Sequence, residues 1–277
     1  MSRCLLPRLG ECGKSFEPVV ATHLLLPEAW DELAQADLQR LTTGLSDAEV
    51  FLVTADGRPS RYLKIARDKA AIGLRQEIAR TSWLAHHHVC VPQILRVDDN
   101  AAQTALLMEA VPGLPAHESP LAAADLVAAL ARAIALLHAL PIAQCPFDES
   151  IATRLSRASA AVAAGEVDPD AFDDRNRGTD PAALLMRLSA KPPAEDMVLV
   201  HGDATLSNII VDSDGAVGFV DSGNVGRADR YTDLAVLRAD IEEHYGAEAA
   251  HHFSRIYGPV GWDEAKARFF SDLYELF

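Results

Sequence analysis

The sequence predicts an α+β protein in two parts: an antiparallel sheet of five strands with one helix, then a mainly helical remainder. Three observations point there. Between Glu49 and Val111, short apolar runs alternate with turn signals, broken by one stretch of helical periodicity from Lys69 to His87. Pro112-Gly113 then ends the pattern, and from Asp125 onward helical periodicity dominates. Within that second part, Met197 to Asp221 reads as strand, loop, strand, turn, strand, with Asp and Asn residues where backbone pairing stops.

Along the first part, residues 1–27 offer no clear element and are expected to form a flexible extension or a small added strand. Gly10 to Ser15 ends like a phosphate loop, but the pattern GxxxxGK[ST] requires glycine where Arg8 stands, and no apolar strand precedes it. Trp30 to Leu41 has helical spacing and predicts a first helix. Gly44-Leu45-Ser46-Asp47 leads into the strand Glu49 to Thr54; such a turn can lay backbone N–H groups and a hydroxyl over phosphates, though alone it is only a loop. Asp56-Gly57 is a hairpin signal, and Arg61 to Ala66 is the returning strand. Lys64 lies mid-strand between Leu63 and Ile65, where a half-buried ammonium needs a partner. The following helix carries Glu77, with Ile72, Ile78, Trp83 and Leu84 near one face. His86-His87-His88 at its end reads as a C-terminal turn rather than a metal cluster. Val91 to Val97 and Thr104 to Val111 are the remaining strands.

The second part begins with an Ala-rich helix, Asp125 to Leu140. Helices are also expected over Ile151 to Ala164, Pro181 to Ala190, Arg230 to Tyr245, Ala247 to Ile256 and Asp263 to Phe277. Between the first two of these, Glu166 to Asp174 places five carboxylates in nine residues, a solvated loop or a grip for a polycation.

Charge narrows the choice of partner. The formal net charge is −15; residues 1–110 carry 12 basic and 14 acidic side chains, and residues 111–277 carry 13 and 26. Nucleic acid requires a basic footprint and is not expected, whereas a cationic partner suits the second part. The four cysteines (Cys4, Cys12, Cys90, Cys145) form no CxxC pair, and a reducing cytoplasm is the expected location. Leu121 to Leu140 is interrupted by Asp125, Arg132 and His138, so no membrane span is expected.

The chemistry concentrates in VLVHGDATLSNIIVDSDGAVGFVD, residues 198–221. Phosphoryl transfer requires a carboxylate to accept a hydroxyl proton and oxygen ligands for Mg²⁺. Asp203 can be the first; Asn208 and Asp221 can be the second. His-x-Asp, Asn five later, and Asp thirteen further on is the order of parts in the protein-kinase catalytic loop and metal-binding Asp. A strand lysine reaching a helix glutamate, here Lys64 and Glu77, is how kinases hold a cation against the α- and β-phosphates. ATP is then expected in a cleft, with adenine against the backbone from Glu109 to Val111.

Together with LSDAEVFLV, YLKIA, CPFD, GFVDSGNVGRADRYTDLA and the terminal YELF, these residues resemble the aminoglycoside 3'-phosphotransferases, from about Leu38 to Phe277. The resemblance implies a protein-kinase-like two-lobe fold. Residues 1–110 would form the nucleotide-binding lobe and residues 111–277 the catalytic and aminoglycoside-binding lobe. It implies ATP (or GTP) and Mg²⁺ as cofactors, Asp203 as catalytic carboxylate, Asn208 and Asp221 as metal ligands, Lys64 with Glu77 on the phosphates, and Ser46 on the phosphate-covering loop. It further implies that a cationic aminoglycoside sits among Asp173, Asp174, Asp240, Glu243, Glu275 and the carboxylate of Phe277. A monomer or weak dimer is expected. The sequence departs from that family at Asn224 and Ala239, where relatives often carry arginine. Two other readings stand beside it: a streptomycin 3''-phosphotransferase, which shares HGD, DxG and ADRYxDLA, and a nucleotide-binding regulatory protein without transfer activity. A protein kinase is not expected, since no APE-like segment follows Asp221.

Overall fold

The computed structural model describes residues 16–19, 30, 33, 36–41, 48–55, 57–258 and 261–277. The chain forms two compact units, Met1–Ile78 with Pro92–Ala110, and Ala79–Val91 with Val111–Phe277.

The first unit is built on a sheet of β1 (Phe16–Val19), β2 (Asp37–Leu41), β3 (Glu49–Thr54), β4 (Arg61–Arg67), β5 (Ile94–Asp99) and β6 (Gln103–Glu109). Their order is β1-β2-β3-β4-β6-β5, every neighbouring pair antiparallel. Helix α1 (Asp68–His86) follows β4 directly. Because side chains alternate across a strand, β4 and β6 serve two cores at once. Leu63, Ile65, Ala105 and Leu107 join Phe51, Val53, Trp30, Leu33 and Leu38 on one face. Ala66, Leu106 and Met108 meet Ala71 and Leu74 of α1 on the other. Burial on both faces explains why β6 reads as an unbroken apolar run rather than an alternating one.

Two expectations are corrected here. The helix over Trp30 to Leu41 is not formed: its C-terminal part is β2, laddered between β1 and β3, with Leu38 buried and Asp37 and Arg40 exposed. Ahead of it, the Leu33 N–H donates to the Trp30 carbonyl at 2.9 Å. Ladder pairing on both sides outweighs local propensity there. Ile72, read with Ile78, Trp83 and Leu84 near one face of α1, is 55% exposed, and the buried apolar positions of the helix are Ala71, Leu74 and Leu84. The segment before residue 28 supplies β1, which makes the sheet six strands wide.

The second unit contains α2 (Ala123–His138), α3 (Ile151–Ala164), α4 (Pro181–Ala190), α5 (Tyr231–Tyr245), α6 (Ala247–Tyr257) and α7 (Glu264–Tyr274). Its strands are β7 (Leu114–Pro115), β8 (Met197–Val200), β9 (Ile209–Val211), β10 (Val217–Phe219) and β11 (Gly226–Asp229), arranged as β10-β9-β7 and β11-β8. Three of the helix starts, those of α3, α4 and α7, follow cap chemistry. Ser150 accepts from Thr153 N–H, Asp180 from Ala183 N–H ahead of Pro181, and Asp263 from the N–H groups of Ala265 and Lys266. One contiguous core, including Leu130, Ile134, Leu184, Leu199, Ile209, Leu237, Phe253 and Leu273, holds these elements together. The CPFD stretch lies along β11: Arg227 N–H donates to the Phe147 carbonyl at 2.9 Å and Glu149 N–H to the Arg227 carbonyl at 3.0 Å. Among the described residues no helix is long and apolar enough to cross a membrane.

Candidate active site

The loop between β8 and β9 is held by its backbone. Gly202 has φ +85°, and a Cβ there would lie 2.2 Å from the Asn224 carbonyl oxygen, so glycine is required on both counts. The carboxylate of Asp233, on α5, accepts the His201 N–H at 2.8 Å and the Gly202 N–H at 2.7 Å. His138 Nε2 lies 3.0 Å from the same carboxylate, and its Nδ1 lies 2.7 Å from the Tyr257 hydroxyl. Asp233 is wholly buried. Burial opposes its ionisation, yet the hydrogen bond and charge of His138, the nearby His201 and the Gly202 amide hold its carboxyl below the ordinary value. Further along, Leu206 N–H donates to Asp240 Oδ2 at 2.6 Å. His201 Nε2 lies 3.0 Å from the Val220 carbonyl; a carbonyl only accepts, so Nε2 carries the proton.

On this loop the Asp203 carboxylate is engaged at both oxygens. Asn208 Nδ2 donates to Oδ2 at 2.8 Å and to the Asp203 carbonyl at 3.0 Å. The Tyr274 hydroxyl, at the end of α7, donates to Oδ1 at 2.6 Å. β9 and β10 form a hairpin closed by Asp212 to Gly215, with Val220 N–H donating to the Asn208 carbonyl at 2.9 Å. That pairing brings Asn208 and Asp221 to the same open end of the hairpin. Asp221 is exposed, in left-handed backbone at φ 56°, ψ 51°. Since the Asn208 amide nitrogen is spent on Asp203, its Oδ1 is the atom left for a cation. Oδ1 with a carboxylate is an all-oxygen donor pair, which fits a hard divalent ion such as Mg²⁺.

In the first unit, Lys64 is opposite Val50 on β3 and Leu106 on β6, which puts it on the sheet face that α1 covers. Its ammonium donates to Glu77 Oε1 at 2.7 Å, and Lys64 is 7% exposed. The Glu109 amide is already used by the Gln93 carbonyl, and the Ala110 amide by that of Ser60. Glu109 therefore has its carbonyl, not its N–H, to offer a base. Val111 belongs to the second unit, where its side chain packs against Gly218. Ser46 lies outside the described residues.

The acidic residues fall into two groups. Asn176 Nδ2 donates to Asp272 and Glu275, each at 3.0 Å; Arg187 pairs with Asp272 at 3.1 Å, and Arg175 with Asp173 at 2.6 Å. Glu275 thus turns its carboxylate toward Asn176. Burial, with Asp173 and Asp272 close by, pushes that carboxyl above its ordinary value against the Asn176 hydrogen bond. Burial of Asp173 acts in the same sense but is outweighed by Arg175, and its carboxyl lies below the ordinary value. Asp174 is exposed and pairs with Arg177. The second group is Asp240, Glu243 and His244, whose ligand atoms lie within 4.8 Å of one another. Phe277 is 55% exposed, its ring 4.9 Å from the Arg154 guanidinium and 5.6 Å from that of Arg157.

Three functional side chains escaped sequence reasoning. Asp233 lies within the noted ADRYxDLA motif, yet nothing in that motif says that its carboxylate holds the HGD backbone. Glu149, directly after CPFD, is buried under Arg80 and Arg157, and Arg80 also donates to the Gly223 carbonyl in the loop after Asp221. Tyr274 sits in a helix that reads simply as amphipathic.

The profile of the phosphotransferase enzyme family (APH) matches residues 37–270. An aminoglycoside 3'-phosphotransferase from Streptomyces fradiae is 34% identical over 253 residues, covering 84% of this chain and 92% of its own. The crystal structure of an aminoglycoside-3'-phosphotransferase of type VIII superposes with a TM-score of 0.80 at 34% identity, covering 88% of this chain and 94% of its own. The aminoglycoside phosphotransferase APH(3'')-Id from Streptomyces rimosus ATCC10970, in complex with ADP and streptomycin, gives 0.73 at 34% identity, covering 84% and 93%.

Two outcomes follow from the geometry. Asp233→Ala strands two buried N–H groups and the His138 ring, and should cost about 3–5 kcal/mol in a urea titration. For Glu275 the sign follows from its raised carboxyl: the stability it contributes is full below the ordinary value of 4.5 and is lost as pH rises through the folded value. Glu275→Gln should therefore gain melting temperature relative to wild type as pH is raised to neutrality, which scanning calorimetry at several pH values measures.

Proposed function

Because this chain belongs to the phosphotransferase enzyme family, we propose that it transfers the γ-phosphate of ATP to the 3'-hydroxyl of kanamycin- and neomycin-type aminoglycosides and so confers resistance to them. The observation that carries this reading is the Asp203 carboxylate, fixed on a rigid loop beside Asn208. In the step proposed, the acceptor hydroxyl oxygen attacks the γ-phosphorus and its proton passes to Asp203. The bond from that phosphorus to the bridging oxygen breaks, and ADP leaves. Lys64, steadied by Glu77, would neutralise the α- and β-phosphates, with Ser46 over the phosphates and the Glu109–Val111 backbone against adenine. Asn208 Oδ1 and Asp221 would hold Mg²⁺, which when bound supplies positive charge to the phosphates. GTP is an alternative donor. The ammonium groups of the antibiotic would engage Asp173, Asp174, Asp240, Glu243, Glu275 and the C-terminal carboxylate of Phe277. The protein is taken to act in the cytoplasm as a monomer or weak dimer.

A second reading, phosphorylation of the 3''-hydroxyl of streptomycin, is favoured by one feature. Glu275 is turned toward Asn176, so the C-terminal carboxylate grip expected for the 3' substrates is only partly presented. A coupled nucleotide-turnover assay against kanamycin, neomycin and streptomycin, with the modified position read by phosphorus NMR, separates the two.

Asp203→Asn keeps the shape of the side chain but cannot accept the proton, and should reduce turnover by at least about 100-fold in that assay while nucleotide affinity stays near wild type. Turnover close to wild type in a folded variant would remove Asp203 from the mechanism. Lys64→Ala should raise the KM for ATP far more than that for the antibiotic, since the lysine contacts phosphates in ground and transition states alike; initial-rate kinetics with each substrate varied in turn checks this.

A further inference from the structure

We propose that Tyr274 determines acceptor specificity: its hydroxyl holds the place of the acceptor hydroxyl on Asp203, so that a cationic polyol opens the site and water does not. This rests on the transferase reading above. A phenol O–H donating at 2.6 Å to Asp203 Oδ1 is the arrangement an alcohol acceptor must reach before transfer, because a general base acts only on a proton within hydrogen-bond distance. The other carboxylate oxygen is taken by Asn208. The acceptor therefore meets a carboxylate whose outward oxygen is already in a short, charge-assisted hydrogen bond.

The surroundings make Tyr274 a side chain that swings rather than a helix end that melts. Leu273 before it and Leu276 after it are fully buried. The Phe277 ring beyond lies over Arg154 and Arg157. Burial and the adjacent Asp203 carboxylate push the phenol's pKa up, so it stays a donor throughout the neutral range. Acidic groups flank it. Glu275, the next residue, leads to Asp272 and Asp173, and Asp240 is tied to the loop through the Leu206 amide. A polycation bound to these groups gains energy remote from the reacting hydroxyl, and that energy can displace the phenol. Water has no such contacts. While it stays on Asp203, the phenol protects the nucleotide from a wasteful reaction in which a water oxygen attacks the γ-phosphorus, its proton passes to Asp203, and ADP and phosphate leave.

The test is Tyr274→Phe, which removes one oxygen and keeps the ring, with melting temperature recorded alongside kinetics. The expected result is a KM for the antibiotic lowered about tenfold, nucleotide hydrolysis without acceptor raised about tenfold, and kcat for transfer changed little. A lower kcat with both KM and hydrolysis unchanged would make Tyr274 a positioning residue for Asp203 and overturn the proposal. A change in melting temperature alone would also overturn it. If wild type phosphorylates an aminoglycoside but the variant matches it in KM and hydrolysis, this inference falls and the transferase reading stands. If wild type phosphorylates none of the three antibiotics while the variant hydrolyses ATP faster, the substrate reading falls and the role of Tyr274 stands. Absence of transfer and of hydrolysis in both proteins overturns both.

Discussion

The buried carboxylate of Asp233 is the interaction on which the rest of the second unit's chemistry depends. It replaces the solvent for two consecutive amides, those of His201 and Gly202, at the point where β8 gives way to the loop that carries Asp203. A buried ion is costly unless it is hydrogen-bonded, and here two N–H donors and the His138 ring engage both of its oxygens. The arrangement ties α5 and α2 to the loop that carries Asp203, so the packing of two helices is transmitted to one carboxylate. Asp240, two turns further along α5, repeats the device on the Leu206 amide. A single helix thus fixes the loop at its start and near its middle.

A second network secures the loop after Asp221. Arg80 donates to the Gly223 carbonyl and pairs with Glu149, which Arg157 also reaches. Glu149 is nearly inaccessible, and its backbone is laddered to Arg227. One acid surrounded by guanidinium groups leaves local positive charge in excess, in a unit whose formal charge is strongly negative.

What the sequence revealed and what it hid divide along a physical line. The order strand, loop, strand, turn, strand over residues 197–221 was legible because it depends on short-range alternation and on turn residues, and it is realised as β8, β9 and β10 with the loop and hairpin between. Lys64 and Glu77 were legible as a pair because a charged residue mid-strand demands a partner, and the next helix offers one. The strand Asp37–Leu41 was hidden, since its conformation is decided by ladders to β1 and β3 that local spacing does not encode. Asp233 and Tyr274 were hidden for the same reason: each acts on a loop residue remote in sequence, through a contact that exists only once the helices have packed. The orientation of Glu275 is a third case, set by Asn176 rather than by its place in an amphipathic helix.

The left-handed backbone at Asp221 narrows the evolutionary paths open to this protein. At φ 56° most side chains clash with their own backbone, and glycine, asparagine and aspartate are the residues that settle there readily. Glycine and asparagine would suit the geometry and discard the charge. Glutamate would keep the charge in a conformation it seldom adopts, with its carboxylate one methylene further out. No single exchange preserves both properties, so every substitution at this position gives up either the charge or the ease of the backbone conformation.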